Sequence, residues 1–482
     1  WERISPDLTA FESDKQGISG IPITRDITGE EFYSTLYAVA ESPVQAGVIW
    51  AGANDGPIHV TRDGGKTWRT VTPPDLPAGG RVQTIEPSPH AAGRAYVAVL
   101  RHLLGDFTPY LYRTDDFGAT WTRITRGIPG DHPTRVVRED PERPGLLFAG
   151  TEFGFFVSFD HGGQWRPFRL NLPVVPVTDL VVHRGDLVIS TQGRGHWILD
   201  DITPLRTMTR AALSAPATLF PPRQAVRFRY DRYPDEPQYP QMPPPGATIT
   251  YALAAPASRL TLEVRDATGA VVRRFVGGTP TEPVESADPT MRRAPGARPG
   301  AVRLPAGAGV HRITWDLTYP GALSESGVPD ERGGPMVRPG GYTLRLTGDG
   351  TTVEQPLRVV ADPRLAANGV TAADIDAQAA LSLKVRDQLG AARVLGGKLK
   401  ARRQAAITAG DTAAVARVDV LLRELETAPG RYQQPMLVAQ IQYLYGMLVQ
   451  ADQRPGRDAY TRYAELDAQL AQLTRRSVEV VP

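Results

Sequence analysis

The chain repeats one eight-residue pattern three times, as Thr61-Arg-Asp-Gly-Gly-Lys-Thr-Trp68, Thr114-Asp-Asp-Phe-Gly-Ala-Thr-Trp121 and Ser158-Phe-Asp-His-Gly-Gly-Gln-Trp165. The common pattern is Ser/Thr-x-Asp-x-Gly-x-x-Trp, and each copy follows a segment in which apolar and polar residues alternate as in a β-strand. A unit that recurs in this way indicates a repeat architecture, which constrains the fold before any single element is assigned.

Four short strands can be assigned to each repeat unit, which is the pattern of a β-propeller blade. The predicted strands are residues 34–40, 48–53, 58–62 and 68–72; 82–86, 95–100, 110–114 and 121–125; and 135–138, 146–151, 155–159 and 165–170. A fourth unit without the eight-residue pattern is predicted at 178–182, 186–191 and 196–200. The sequence therefore predicts a mainly β protein in which residues 1–203 form propeller blades.

Each copy of the repeat predicts a hairpin turn anchored by an aromatic ring. The aspartates are expected to accept hydrogen bonds from N–H groups of their own turn, and the glycines to supply positive φ angles. The tryptophan ring is expected to lie between neighbouring sheets, where it buries about 150–250 Å². We assign a structural role to Asp63, Trp68, Asp116, Trp121, Asp160 and Trp165.

The first residues align with the segment that follows each repeat. Trp1-Glu-Arg-Ile-Ser-Pro6 corresponds to Trp68-Arg-Thr-Val-Thr-Pro73, so Trp1 is expected to be the last residue of a further repeat. One strand and about four blades are few for a propeller, which has about 4–8 blades. We therefore expect an incomplete ring in this chain, with a further N-terminal propeller portion, in the same polypeptide or a separate chain, as its partner.

Composition narrows the classes of function. Lys and Arg total 54 and Asp and Glu total 52, a balance that does not favour a nucleic-acid partner. The chain has no cysteine, which excludes disulfides, thiol catalysis and thiolate metal sites. No apolar run reaches about 18 residues, so no membrane span is predicted. The motifs of metalloproteases, phosphate-binding loops and serine hydrolases are absent from the sequence, and no metal or cofactor is predicted.

Two further modules are predicted after the propeller. Residues 204–222 are predicted to be a linker with a short helix at 206–213. Residues 223–362 are predicted to form an Ig-like β-sandwich, with strands at 225–230, 247–254, 259–265, 271–276, 310–317, 341–347 and 352–360. The stretch 277–303 is rich in Pro, Gly and Arg and is predicted to be a long mobile loop.

Residues 363–482 are predicted to form a helical bundle. Thr371-Ala-Ala-Asp374 has the spacing of a capping box, with Asp in place of the usual Glu. Apolar residues at helical spacing follow, and further helices are predicted at 412–427, 435–453 and 457–475. The predicted apolar core face of one helix consists of Met436, Leu437, Ile441, Leu444 and Leu448.

The eight-residue repeat resembles the Asp-box, or BNR repeat, of sialidases, xyloglucanases and sortilin-type propellers. Nearly the whole chain resembles a group of bacterial BNR-repeat glycosyl hydrolases, in which a sortilin-type propeller precedes Ig-like and helical modules. The resemblance implies export to the periplasm, the outer surface or the extracellular space. The segments that carry it are Trp1-Glu-Arg-Ile-Ser-Pro-Asp-Leu-Thr9, Ala40-Glu-Ser-Pro43, Arg135-Val-Val-Arg-Glu-Asp-Pro141, Ala149-Gly-Thr-Glu-Phe-Gly154 and Gly193-Arg-Gly-His-Trp-Ile-Leu-Asp-Asp-Ile-Thr-Pro-Leu-Arg206. Residues 309–316 and 339–345 separately resemble the Ig-like domain of flagellar hook-capping proteins.

Propeller geometry places the loops between the second and third strands of each blade on one face, opposite the repeat turns. In this chain those loops carry acidic, basic and imidazole side chains, which we expect to converge near the propeller axis. The predicted ligand-binding residues are Asn54, Arg101, His102, Asp106, Arg194 and His196. Arg194 and His196 have the chemistry to bind a carboxylate or a phosphate. The alternative is that they complete the last blade.

Asp55 and Glu152 occupy matching positions two blades apart and are the candidates for a catalytic pair. A glycosidase needs two carboxyl groups about 5–5.5 Å apart for retention, or about 6.5–9.5 Å apart for inversion. The alternative is that each carboxylate accepts hydrogen bonds from its own glycine-containing turn. Three functions stay open: a propeller that binds a glycan or peptide, a glycoside hydrolase that acts on a polysaccharide through the same face, and a non-catalytic structural or assembly subunit.

Overall fold

The structure, a computed structural model, describes residues 1–13, 33–229, 242–278, 303–331 and 333–479. Most of the loop predicted at 277–303 therefore lies outside the described residues. The chain divides into two compact units, Trp1–Arg206 and Thr207–Pro482.

The described part of the first unit consists of antiparallel sheets that follow one another along the chain. The first sheet contains β1 (Leu36–Glu41), β2 (Ile49–Ala53), β3 (Ile58–Thr61) and β4 (Arg69–Thr70), and the second contains β5 (Arg81–Pro87), β6 (Ala95–Leu100), β7 (Tyr110–Thr114) and β8 (Thr122–Arg123). The third contains β9 (Thr134–Glu139), β10 (Leu147–Thr151), β11 (Gly154–Ser158) and β12 (Trp165–Pro167), and the fourth contains β13 (Val177–His183), β14 (Asp186–Thr191) and β15 (His196–Leu199). The predicted blades are confirmed.

The sheets stack through their first strands, with β1 against β5, β5 against β9, and β9 against β13. All residues of β6, β10 and β11 are buried, because the second and third sheets have a neighbour on both faces. In β14 of the fourth sheet, by contrast, buried residues alternate with half-buried ones over most of the strand. The unit is an arc of consecutive β-propeller blades.

The repeats form closed hydrogen-bonded turns. In the first copy, the hydroxyl of Thr61 accepts a hydrogen bond from the N–H of Gly65 (3.0 Å) and donates to Asp63 (2.8 Å). Asp63 also accepts from the N–H of Thr67 (2.9 Å). The other two copies make equivalent bonds. Hydrogen bonds from Thr67 and Thr61 lower the pKa of Asp63 to about 2, so the turn holds the aspartate in its charged form.

Each repeat tryptophan bonds to the chain segment that follows the preceding repeat. The indole N–H of Trp121 donates to the carbonyl of Val71 (2.6 Å), and that of Trp165 donates to the carbonyl of Ile124 (2.6 Å). Both acceptors lie three residues after the preceding repeat tryptophan. The indole N–H of Trp68 donates in the same way to Ile4 (2.8 Å), which lies three residues after Trp1.

The first unit ends within the short helix α1 (Thr203–Thr207), whose last residue is the first of the second unit. The second unit continues with the short helix α2 (Arg210–Ser214) and a two-layer β-sandwich. One sheet contains β16 (Ala217–Leu219), β18 (Ala247–Leu253) and β22 (Gly309–Trp315); the other contains β17 (Ala225–Arg227), β19 (Arg259–Arg265), β20 (Val271–Gly278), β21 (Arg303–Leu304), β23 (Gly340–Gly348) and β24 (Thr351–Ala361). Strand β16 lies inside the range 204–222 that the sequence assigns to a linker, and it pairs with β18. The apolar core between the sheets includes Tyr251, Leu262 and Trp315.

The described helices after the sandwich are α3 (Pro363–Ala367), α4 (Ala372–Thr408), α5 (Thr412–Leu425), α6 (Leu437–Gln450) and α7 (Arg457–Val478). The capping box predicted at Thr371 and Asp374 is present at the start of α4. Leu437, Ile441, Leu444 and Leu448 are buried on one face of α6, whereas Met436 is the residue that caps its start. None of the helices in the described ranges combines the length and the apolar character that a membrane crossing requires.

Candidate functional site

The first strands of the sheets, β1, β5, β9 and β13, line a common cavity of about 1030 Å³ in the first unit. We call it the axial cavity. Residues from each of these strands contribute to its wall, among them Tyr37, Gln83, Arg135 and Asp179. A space of this size between inner strands is the usual place for a propeller to hold a ligand, and ligand pockets typically measure about 300–1,000 Å³.

Arg138 connects three blades within the axial cavity. Its guanidinium donates to Glu86 of β5 (3.2 Å), to Asp179 of β13 (2.9 Å) and to the backbone carbonyl of Leu180 (3.0 Å). Glu86 and Asp179 thus share one cation, and the first strands of the second, third and fourth sheets are tied together by it. The Glu86 side chain is 20% exposed, and that of Asp179 is 61% exposed.

The axial cavity changes the acidity of Glu86. Burial raises the pKa of this carboxyl from its usual value of 4.5 to about 7, although Arg138 and the N–H of Glu139 partly oppose the shift. The N–H of Glu139 donates to the second oxygen of Glu86 at 3.3 Å. Glu86 is therefore a carboxyl group that changes its charge near neutral pH within a cavity.

We call the face opposite the repeat turns, where the first strands begin, the mouth. The axial cavity reaches the mouth at Tyr37 and Arg135, and at its other end it reaches Pro89 and Pro141, next to the loops that contact the repeat turns. Arg81, the first residue of β5, pairs with Leu100 at the end of β6, and Thr134 of β9 pairs with Thr151 at the end of β10. The starts of the first strands therefore lie beside the loops that follow the second strands. This register brings together Tyr37, Arg81, His102, Arg135 and Glu152 at the mouth.

The two predicted catalytic carboxylates both have partners inside the fold. Asp55 is buried, and one of its oxygens accepts hydrogen bonds from the N–H groups of Ala10 (2.9 Å) and Phe11 (3.3 Å). Glu152 forms an ion pair with Arg135 at 2.6 Å. No hydrogen bond joins Asp55 to Glu152 among the residues that the structure describes. Asp55 therefore holds the N-terminal segment, Glu152 orients an arginine, and their catalytic assignment stays a prediction.

Arg101 and Asp106 form a second ion pair at the mouth, at 2.9 Å. The guanidinium of Arg101 also donates to the carbonyl groups of residues 77–79. Burial opposes ionisation of Asp106, but hydrogen bonds from Arg101, Thr108 and Tyr110 outweigh it and lower the pKa of Asp106 to about 2. This pair fixes the loop after β6 against the loop before β5.

His102 begins a short 3₁₀ turn, His102–Leu104, directly after this arginine. Its ring nitrogen Nδ1 is buried and has no hydrogen-bond partner in the described part of the chain. Burial lowers the pKa of His102, and the nearby cations Arg135 and Arg81 add to this effect, whereas Glu152 opposes it. The imidazole is therefore neutral at pH 7, and its buried Nδ1 has no hydrogen-bond partner among the described residues.

The other predicted binding residues lie in the loops of the first and fourth blades. The side-chain oxygen of Asn54 accepts a hydrogen bond from the N–H of Thr35 (2.9 Å). Arg194 is exposed in the loop after β14, and His196 is the exposed first residue of β15. The indole of Trp197 donates to the carbonyl of Arg194 (3.1 Å). Within the described residues, the guanidinium of Arg194 makes no ion pair.

Sequence reasoning missed the residues at the mouth and in the cavity that belong to first strands: Tyr37, Arg81, Gln83, Glu86, Arg135 and Arg138. A signal was present, because polar residues at 81–86 and 135–138 interrupt strands that are otherwise buried. A buried strand with repeated charged residues indicates that those side chains face a polar cavity or a partner charge.

No protein-family model matches the chain, and no curated protein matches it significantly. Among solved structures, it is similar to YCF48 bound to D1 peptide, with 16% identity and a TM-score of 0.28 over 34% of this chain and 51% of that chain. It is also similar to the GH74 xyloglucanase from Xanthomonas campestris, with 16% identity and a TM-score of 0.27 over 34% of this chain and 29% of that chain.

A third similar structure is PorZ, a bacterial surface component of the type-IX secretion system of Porphyromonas gingivalis, with 14% identity and a TM-score of 0.30. That match covers 70% of this chain and 47% of PorZ. The chain thus spans about half of the YCF48 and PorZ structures and less of the xyloglucanase. All three TM-scores are below 0.5, so these similarities do not support the fold assignment. The assignment of propeller blades rests instead on the order and pairing of the sheets in this chain.

Proposed function

We propose that the first unit binds a peptide or glycan ligand at the mouth of the axial cavity, on the face opposite the repeat turns. The observation that carries this proposal is the continuity between mouth and cavity, because Tyr37 and Arg135 belong to both. A ligand bound at the mouth would therefore contact residues from several blades. Export, and further propeller blades outside this chain, stay predictions from the sequence.

Exposed apolar side chains support a binding role for the mouth. Leu103, Leu104 and Phe107, in the loop after β6, are 73%, 55% and 51% exposed. Phe153, in the corresponding loop of the third blade, is 44% exposed and contacts the ring of His132. Large apolar residues grouped on exposed loops are typical of interaction sites. A loop that faces only solvent would usually carry polar residues instead.

Glycoside hydrolysis is the second candidate, and Glu86 is the residue that favours it. A carboxyl with a pKa of about 7 has the protonation behaviour of a general acid or base near neutrality. Asp179, which shares Arg138 with Glu86, offers a second carboxylate on the same cavity wall. Binding without turnover is nevertheless the better supported function, because Asp55 and Glu152 are engaged in holding the fold.

The test is to apply the purified chain to a peptide array and a glycan array, and to analyse the bound ligands for cleavage products. We expect retention without cleavage. The double variant Leu103→Ser/Phe107→Ser should weaken retention about tenfold or more, because it removes exposed apolar area that a ligand would bury. Tyr432→Ser, which removes a side chain that is 102% exposed in the second unit, is the matched control.

Retention that is equal for the double variant and the control would exclude the mouth as the site. Release of reducing sugar that Glu86→Gln abolishes would instead support the hydrolase. If neither array retains the protein, the proposal is wrong.

A further inference from the structure

The arginines at the mouth differ in whether the fold neutralises them. Arg101 pairs with Asp106 at 2.9 Å, and Arg135 pairs with Glu152 at 2.6 Å. Arg81 has neither an ion pair nor a hydrogen bond from its guanidinium among the described residues. Because His102 is neutral, Arg81 carries a positive charge that these two ion pairs leave uncompensated among the described residues. The mouth therefore favours an anionic ligand.

The position of Arg81 is fixed although its charge is unpaired. It is the first residue of β5, where it pairs with Leu100 of β6. Its guanidinium lies over the ring of Tyr37, 4.6 Å from the ring centre. A guanidinium held over an aromatic ring leaves N–H groups that the ring does not engage, and these match the geometry of a carboxylate.

Two further polar atoms near Arg81 lack partners. They are Nδ1 of His102 and the side-chain oxygen of Gln83, and both are buried without a hydrogen bond in the described ranges. Gln83 lines the axial cavity. An unsatisfied buried polar atom costs about 1–3 kcal/mol. A ligand with hydrogen-bonding groups, such as a peptide backbone, would lower the free energy of the site where the side chains around these two atoms move to admit it.

The apolar surroundings favour a peptide over a carbohydrate. The exposed residues beside His102 are the aliphatic Leu103 and Leu104, together with Phe107. Aliphatic side chains pack well against apolar side chains of a peptide, whereas sugar rings stack on open aromatic faces. Leu103 and Leu104 are 73% and 55% exposed, more than the aromatic Phe107, Phe153 and Tyr37 at 51%, 44% and 45%. One face of Tyr37 also lies beneath Arg81.

We infer that the mouth binds an acidic peptide segment, with a carboxylate of the peptide paired to Arg81 and its apolar side chains on Leu103, Leu104 and Phe107. This inference rests on the proposed function and names the ligand of that site. Charge-assisted pairing to a half-buried arginine contributes to affinity and also selects the ligand, since a neutral amide cannot replace the carboxylate.

The experiment uses the full chain and a peptide array in which each Asp- or Glu-containing peptide stands beside its Asn or Gln counterpart. A glycan array with neutral and uronic-acid members is probed in parallel. We expect acidic peptides to bind at least about tenfold more tightly than their amide counterparts, a ratio that corresponds to one net charge-assisted hydrogen bond. Arg81→Gln should abolish that preference.

Arg166→Gln is the matched control, because Arg166 is exposed on β12 and its loss changes the net charge equally. Thermal unfolding of both variants establishes that they fold. Equal binding of acidic and amide peptides, equal effects of the two variants, or retention of glycans alone would overturn the inference and leave ligand binding by the propeller intact. Absence of binding on both arrays would overturn the proposed function itself.

Discussion

Glu86 shows how neighbouring blades control the charge of a single carboxyl group. It lies on β5, accepts hydrogen bonds from Arg138 and from the N–H of Glu139, and has a pKa of about 7. The folded protein therefore keeps this carboxyl protonated to a higher pH than the unfolded chain does. A group of this kind stabilises the fold at low pH and loses that contribution as pH rises through its folded pKa.

We predict that Glu86→Gln reduces the pH dependence of stability. In the wild-type protein, the contribution of Glu86 is fully present below about pH 4.5 and is lost as the pH rises to about 7. Relative to the variant, the wild type should lose on the order of 1–3 kcal/mol between pH 5 and pH 8. Tryptophan fluorescence measures this in the first unit, which contains six of the seven tryptophans: Trp1, Trp50, Trp68, Trp121, Trp165 and Trp197.

Glu2→Gln, which changes an exposed carboxyl of the same unit, is the control and should keep the wild-type pH profile. Parallel pH profiles for Glu86→Gln and the wild type would show that Arg138 keeps Glu86 ionised throughout.

The loop residues of the site could be predicted from the sequence, because the repeat fixes which loops share a face. The partners of those residues could not. Asp55 holds Ala10 and Phe11, which lie more than 40 residues away along the chain, and Arg138 joins Glu86 to Asp179. Such pairs form only when the blades stack, and the residues around each partner in the sequence do not indicate which distant residue it will contact.

At the scale of elements, strands anchored by a repeat turn were predicted to within a few residues. The repeat turn ends the preceding strand, because Thr61 and Asp63 accept hydrogen bonds from N–H groups that would otherwise pair with a neighbouring strand. Strands β16 and β21 were missed, since three and two residues are too few to show alternation. The helix α4 was recognised from its capping box, whereas its 37-residue length was not.

The glycines of α4 explain how a long helix accommodates a loop of the sandwich. A Cβ atom on Gly397 would lie 2.4 Å from the carbonyl oxygen of Glu325, and one on Gly390 would lie 2.9 Å from the N of Leu323. Glycine lowers helix stability by about 1 kcal/mol relative to alanine. Glycine is needed at these two positions because the backbone of the loop packs directly on the helix and leaves no room for a Cβ atom.

We predict opposite effects for two glycine-to-alanine substitutions in helices of the second unit. Gly397→Ala should destabilise this unit by about 1–3 kcal/mol, because the new methyl group overlaps backbone atoms. Gly446→Ala in α6 should stabilise it by about 0.5–1 kcal/mol, because nothing lies within 4 Å of the added Cβ. Urea unfolding followed by circular dichroism at 222 nm compares the two. The same sign for both would contradict the close approach of the loop to α4.

At the scale of the second unit, an internal ion pair joins the sandwich to the helical bundle. Arg227 of β17 contacts Asp452, in the segment between α6 and α7, at 2.7 Å, and their side chains are only 2% and 4% exposed. Arg229 contacts the same carboxylate at 2.9 Å. The sequence pattern predicted both modules in the correct order, but their joining by buried charges was not apparent from either module's own pattern.

We predict that Asp452→Ala destabilises the second unit by about 3–5 kcal/mol, because it leaves Arg227 buried without its counter-charge. The double variant Arg227→Met/Asp452→Leu should recover much of that loss, since neither charge then remains buried. Asp387→Ala, which removes a carboxylate that is 67% exposed, is the control. Urea unfolding measures all three. A single variant no worse than the control would show that water reaches the pair.

The indole bonds between blades all point in one direction along the polypeptide. Trp68, Trp121 and Trp165 each donate to a carbonyl group that precedes them by 64, 50 and 41 residues, respectively. During translation, the acceptor of every such bond therefore leaves the ribosome before its donor. A newly made blade can dock at once on one that is already formed, without waiting for sequence still to be synthesised, and its apolar face is covered as soon as it appears.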